Sequence, residues 1–266
     1  MISLRHPNVA GLFYPADPRT LRADVSAYLK SAISSPGPAH ATHPKALVAP
    51  HAGYIYSGPV AGTAYAQLQE DAASIHRVVL LGPSHLLPFF GLAYSRAEAF
   101  VTPLGQVAVD LDAYDLVADL PQARHYETPF QGEHCLEVQL PFLQLVLDDF
   151  RLVPFLVGQA SAAQVAEVLE RLWGGDETLI VVSSDLSHYL DYARAQRIDQ
   201  ATSQAIANLD PEAISDDQAC GRNPLKGLLK VARRHGLRVQ VLDLRNSGDT
   251  AGPRDRVVGY GAFAFA

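Results

Sequence analysis

Leu179-Ile180-Val181-Val182-Ser183-Ser184-Asp185-Leu186-Ser187-His188 is a solidly apolar run that ends, within a few residues, in a histidine. The same design occurs twice more, as Ala46-Leu47-Val48-Ala49-Pro50-His51 and Val78-Val79-Leu80-Leu81-Gly82-Pro83-Ser84-His85. Short unbroken apolar runs read as strands buried on both faces, the kind found in parallel sheets. In open α/β sheets, ligands and catalytic groups collect beyond the carboxyl ends of such strands. The pattern therefore predicts three histidines converging on one site.

Working outward, residues 53–58 are too rich in glycine and aromatic side chains for an ordinary helix, whereas 59–68 are alanine-rich and helical. With the strands on either side this makes a βαβ unit, which implies parallel strands and a right-handed crossover. Upstream, Leu21, Val25, Leu29 and Ile33 mark one helical stripe over 17–33, with Asp17 and Pro18 as N-cap and first-turn residues, and 34–45 read as a surface loop. Downstream, 92–94 and 98–110 read as strands about a Thr102-Pro103-Leu104-Gly105 turn, 133–147 as a helix kinked at Pro141, and 151–157 as a strand. Helices follow over 160–173, 190–209 and from Asn223 or Pro224 to 235, with strands at 238–245 and 256–266. The alternation of elements, without an internal repeat, predicts one domain over 1–266 of the α/β class: three layers, α/β/α, around a mostly parallel or mixed sheet.

Composition narrows what this domain does. Among 266 residues no apolar run reaches the roughly 18 a membrane span needs, so no membrane role is expected. A formal net charge of −7 lacks the clustered Lys and Arg of a nucleic-acid footprint. The cluster Arg233-Arg234-His235 with Arg238 is explained as the cationic end of a helix. Two cysteines in a chain this size make no disulfide framework, and the first residues lack the apolar stretch of an export signal, so a cytoplasmic location is expected. There is no glycine-rich phosphate loop and no Gly-x-Ser-x-Gly elbow.

Converging histidines are most simply used to hold a metal ion, since neutral imidazole is a good ligand for Zn, Fe, Cu and Ni. One or two further donors are needed, and the candidates are Asp185, Glu133, His134, Glu137 and Cys220. Cys220 precedes a helix beside Arg222, where the helix dipole and the guanidinium favour thiolate; packing as a small hydrophobe is the competing reading. Cys135, inside a periodic segment, reads as core. Asp185 orients an imidazole or a water, or else Ser183-Ser184-Asp185 simply cap the next helix. Glu133 and Glu137, at i and i+4, read either as dipole complements or as groups supporting the ligands. Tyr54, Tyr56 and Tyr189 are placed to line the pocket or to pack as aromatics.

At these residues the sequence resembles the Memo family, also called the AmmeMemoRadiSam system protein B family, over essentially its whole length. The resemblance is carried by Arg5-His6-Pro7 through Tyr14-Pro15, Ala49-Pro50-His51-Ala52-Gly53-Tyr54 with Tyr56-Ser57-Gly58, Leu81-Gly82-Pro83-Ser84-His85, Glu133-His134 through Leu140-Pro141, Ser183-Ser184-Asp185-Leu186-Ser187-His188, Cys220-Gly221-Arg222 and Gly259-Tyr260. It implies a fold similar to the class III extradiol (LigB-like) dioxygenases, non-haem iron enzymes in which two histidines and a carboxylate bind Fe(II) and a further histidine is the acid/base. It places His51 and His85 as the histidine ligands, His188 as the acid/base group and Cys220 where the carboxylate would stand. Asn223 departs from the histidine expected after Cys-Gly-Arg in many members. For bacterial members the resemblance also implies association with AMMECR-type and radical-SAM proteins.

Three functions compete. The first is a redox protein with one Fe or Cu ion on His51, His85 and Cys220, whose softer thiolate suits copper, zinc or thiolate-ligated iron, and with His188 moving protons while Asp185 supports it. Its substrate is a small molecule or peptide in the metal cleft. The second is a non-catalytic scaffold whose cleft holds a peptide, and the third is a zinc hydrolase.

Overall fold

The computed structural model describes residues 3–34 and 43–266. Most of the expected loop at 34–45 lies outside the described residues. Among those described, the first half runs β1 (Leu4–Arg5), α1 (Pro18–Ser34), β2 (Ala46–Ala49), α2 (Tyr54–Tyr65), β3 (Arg77–Pro83), β4 (Leu92–Tyr94), β5 (Ala99–Thr102), β6 (Gly105–Ala108), β7 (Ala123–His125) and α3 (Leu140–Val146). The second half runs β8 (Arg151–Val157), α4 (Ala162–Arg171), β9 (Thr178–Ser183), β10 (His188–Leu190), α5 (Tyr192–Ala207), α6 (Arg222–Arg234), β11 (Val239–Asn246) and β12 (Val257–Phe265).

The main sheet has the order β10-β12-β2-β9-β3-β8-β4-β7, with β11 paired to β12. It is mixed. The three histidine-tipped strands are adjacent and parallel, β9 lying between β2 and β3, while β12 runs antiparallel to β2 and β4 antiparallel to β8. Every residue of β2 and β9 is buried, which their unbroken apolar sequences require. Helices α1, α2 and α3 pack on one another; α4 and α6 form a second group, with α6 on β3 and β9. This is compatible with the expected three-layer α/β/α arrangement.

Two helices differ from the sequence-based expectation. Helix α2 starts at Tyr54, so the glycine-rich 53–58 stretch is helical after all, with Gly53 as N-cap. Its glycines are packing residues. A Cβ on Gly58 would stand 2.6 Å from the Tyr28 ring, and one on Gly62 would stand 2.9 Å from the Tyr28 backbone, so α1 seats directly on α2. The expected helix over 133–147 begins only with a 3-10 turn at Glu137–Gln139 that leads into α3, and Pro141 sits in the first turn of α3 without kinking it. Residues 133–135 stay out of the helix because the Glu133 carboxylate itself accepts the His134 and Cys135 backbone N–H groups. Glu133 and Glu137 therefore do not share a helical face.

Candidate metal centre

Because β2, β9 and β3 are neighbours about 4.8 Å apart, the residues just past their ends meet. His51 leaves β2, His85 leaves β3 and Asp185 leaves β9. The rings of His51 and His85 are 5.1 Å apart, and His134 joins them, 5.6 Å from His51 and stacked on His85 at 5.1 Å. One ring nitrogen from each of these three histidines lies within 4.8 Å of the others, close enough to share a cation.

Cys220 stands on the His51 side, its Sγ 3.3 Å from His51 Nε2, outside the set of three ring nitrogens that share one point. It sits at the start of α6, where Gly221 N–H donates to Ser184 Oγ at 2.9 Å and Cys220 N–H to the Asp185 carbonyl at 3.3 Å. Gly221 is needed here, since a Cβ would come within 2.6 Å of Ser184 Cβ. The Asp185 backbone N–H points at the sulfur, 3.3 Å away. Burial pushes the Cys220 thiol up, and the Asp185 carboxylate adds to the effect. Burial also holds His51 well below the ordinary histidine value, helped by His85 and His134. In the metal-free protein this pair is a neutral thiol beside a neutral imidazole.

Glu133 organises the other half. Its Oε2 accepts the His85 backbone N–H at 2.7 Å, and its Oε1 accepts His85 Nδ1–H at 2.9 Å together with the two backbone donors of His134 and Cys135. Burial works against a charged carboxylate, but these bonds and the His85 ring outweigh it and hold Glu133 well below the usual range. Burial likewise opposes charge on His85, while Glu133 raises its pKa above the ordinary value. Fixing Nδ1 on a carboxylate leaves Nε2 as the free nitrogen of His85, the arrangement metal-binding histidines use. The three imidazoles, His51 buried and His85 and His134 partly open to solvent, with the half-buried Cys220 thiol beside His51, fit a transition-metal ion.

Asp185 lies beneath His51, its Oδ1 accepting the His51 backbone N–H at 2.8 Å; burial raises its carboxyl to about 6. His188 donates Nδ1–H to the Leu186 carbonyl at 2.8 Å, and charge on its ring is felt at both His51 and Asp185. The loop carrying both groups is clamped. Leu186 N–H and Ser187 C=O pair with Gly259 of β12, and Ser187 N–H donates to the buried Asp199 carboxylate at 2.9 Å. Tyr189, next along, is exposed and has a left-handed backbone, φ 59°, with the Arg256 guanidinium 4.7 Å over its ring.

Three other expected positions sit away from the ring nitrogens. Glu137 accepts from the Asn8 and Val9 backbone N–H groups and the Tyr14 hydroxyl, pinning the N-terminal segment. Tyr54 is buried among Tyr14, Tyr28 and Phe142, with its hydroxyl on the Val138 carbonyl. Asn223 donates to the Gly158 carbonyl at 2.7 Å. Other contributors went unread in the sequence. Phe13 packs on His134 at 4.7 Å, Arg5 and Asn8 donate to the Glu133 carbonyl, and Ser183 and Gln139 stand behind His51. The one sequence signal for the N-terminal residues was their place in the family pattern.

Comparison with known proteins covers nearly the whole chain. Residues 5–264 match the family model described as Memo-like protein. A MEMO1 family protein of Archaeoglobus fulgidus is 35% identical over 273 residues, covering 98% of this chain and 99% of that one. MEMO1 family proteins of Saccharolobus solfataricus and Aeropyrum pernix are 32% and 35% identical, again over 98% of this chain and 99% of theirs.

Proposed function

The chain belongs to the Memo-like protein family, and from that premise we propose that it binds one transition-metal ion, iron or copper, on His51, His85 and Cys220, and uses it in redox or dioxygen-linked chemistry. The observation that carries this reading is the convergence of the His51, His85 and His134 ring nitrogens beyond adjacent strand ends, with the Cys220 sulfur 3.3 Å from His51 Nε2. A thiol among imidazoles favours a soft or borderline ion over magnesium or calcium.

Such an ion, when bound, supplies electron transfer and Lewis acidity. The protein's own groups do the rest. His188, anchored through Nδ1, keeps Nε2 available to take or give a proton. Asp185, whose carboxyl titrates at about 6, holds His51 in place and lies within electrostatic reach of His188. His134 packs against Phe13 and the His85 ring, while Leu86 and Tyr189, each next in sequence to a site histidine, are exposed.

The exposed Leu86 and Tyr189, each beside a site histidine in sequence, also favour a second reading, a non-catalytic cleft that docks a peptide. The test is elemental analysis of anaerobically purified protein, with wild type beside His51→Ala, Cys220→Ser and His188→Ala and with absorption spectra before and after air. Near-stoichiometric iron or copper in wild type and His188→Ala, lost in the other two, together with an air-dependent spectrum, is the expected result. Wild type that takes up no metal on reconstitution favours the docking reading, and stoichiometric zinc with no response to air favours the hydrolytic one.

A further inference from the structure

A histidine can present a lone pair to a metal from either ring nitrogen, and the groups buried behind His51 decide which. Ser183 Oγ lies 2.8 Å from His51 Nδ1, 2.7 Å from Gln139 Nε2 and 2.7 Å from the Cys135 carbonyl oxygen. Gln139 Nε2 is also 3.0 Å from the Pro50 carbonyl oxygen, and Gln139 Oε1 is 2.8 Å from the Tyr65 hydroxyl. Tyr65, Gln139 and Ser183 are wholly buried, so each polar atom must be satisfied by these partners.

The direction of every bond then follows from what each end is able to do. The Pro50 carbonyl only accepts, so the Gln139 amide nitrogen faces it; a flipped amide would set oxygen against oxygen. The same nitrogen donates to Ser183 Oγ, and Gln139 Oε1 accepts from Tyr65. The Cys135 carbonyl also only accepts, and at 2.7 Å it requires the single Ser183 hydroxyl hydrogen. With that hydrogen committed, Ser183 Oγ meets His51 only as an acceptor. His51 Nδ1 must carry the proton.

We propose that Tyr65, Gln139 and Ser183 are positioning residues that lock His51 as its Nδ1–H tautomer and so present a bare Nε2 to the centre before a metal arrives. The inference rests on the metal-binding reading for its purpose, though not for its geometry. One further observation agrees with it. His85 is turned the same way, with Nδ1 on Glu133 and Nε2 free. In their neutral forms the two imidazoles thus share one tautomer, His85 set by a carboxylate and His51 by a neutral serine.

Long-range proton–nitrogen correlation spectra of the metal-free, full-length protein read the tautomer directly, with His51 assigned through His51→Gln. The expected result is a pyrrole-type Nδ1 and a pyridine-type Nε2. An Nε2–H tautomer, or rapid averaging of the two, would overturn the lock. Ser183→Ala and Gln139→Leu should each shift His51 toward an averaged spectrum and weaken zinc, used as the probe ion, by about 10- to 100-fold. An unchanged His51 spectrum in both variants would remove the relay from its role. If neither variant folds, the wild-type spectrum alone still decides the tautomer. Zinc affinity that is indifferent to His51→Ala and Cys220→Ser would defeat the metal reading instead, leaving the tautomer result standing.

Discussion

At the scale of single residues, the centre depends on groups that touch no ligand atom of their own. Glu133 receives four N–H donors, two from His85 and one each from His134 and Cys135. Glu133→Gln would turn an amide nitrogen against some of them. A stability loss of about 1–3 kcal/mol in urea denaturation is expected, with metal affinity down by about 10- to 100-fold. Gly82 is as exacting, since a Cβ there would stand 2.5 Å from Cys135 Sγ and 2.9 Å from Leu136 Cδ2. Gly82→Ala should cost about 1–3 kcal/mol by overpacking, and it should disturb the segment that carries Glu133 and His134. The histidines at strand ends were legible because an apolar run followed by an imidazole is unusual. Gln139 and Ser183 were not legible. A glutamine in a leucine-rich stretch and a serine at a strand end look like surface or capping residues until the sheet brings β2 and β9 together.

At the scale of elements, the N-terminal segment is a wall of the site held by side chains. Glu137 takes the Asn8 and Val9 backbone donors and the Tyr14 hydroxyl, and the Glu133 carbonyl takes Arg5 and Asn8. Glu137→Ala strands those donors in a buried place. Hydrogen exchange should show the amides of Asn8 and Val9 losing protection first, with a global loss of about 1–3 kcal/mol; unchanged protection would show that the segment is held otherwise. Helices α1 and α2 make a second test. Gly62→Ala meets the Tyr28 backbone at 2.9 Å and should cost about 1–3 kcal/mol in thermal unfolding while leaving metal per folded chain unchanged. Strand β8 matched the sequence reading to the residue, opening at Arg151 and closing before Gly158. The segment at 133–147 did not, because leucine spacing continues backward into residues whose N–H groups are taken by a carboxylate, and periodicity is blind to that competition. At α2 the error ran the other way, where glycines that read as helix breakers are close-packing positions.

At the scale of the whole molecule, the alternation of strands and helices revealed the α/β class, and the buried runs revealed which strands are central. Strand order was not legible. Nothing local in the C-terminal strand announces that β12 runs antiparallel beside β2 and lends Gly259 to the loop that carries Asp185 and His188. That order is what converts three separated motifs and Cys220 into one cluster. Two ligand sets share His51 and His85: the ring nitrogens already within reach of one ion close with His134, whereas the proposed set closes with the Cys220 sulfur, which lies against His51. X-ray absorption at the edge of the bound metal separates them most directly. One sulfur scatterer is expected, at about 2.3 Å if the ion is zinc, beside two imidazoles, and it should disappear in Cys220→Ser. A first shell of nitrogen and oxygen alone, unchanged by Cys220→Ser and altered by His134→Ala, would contradict it.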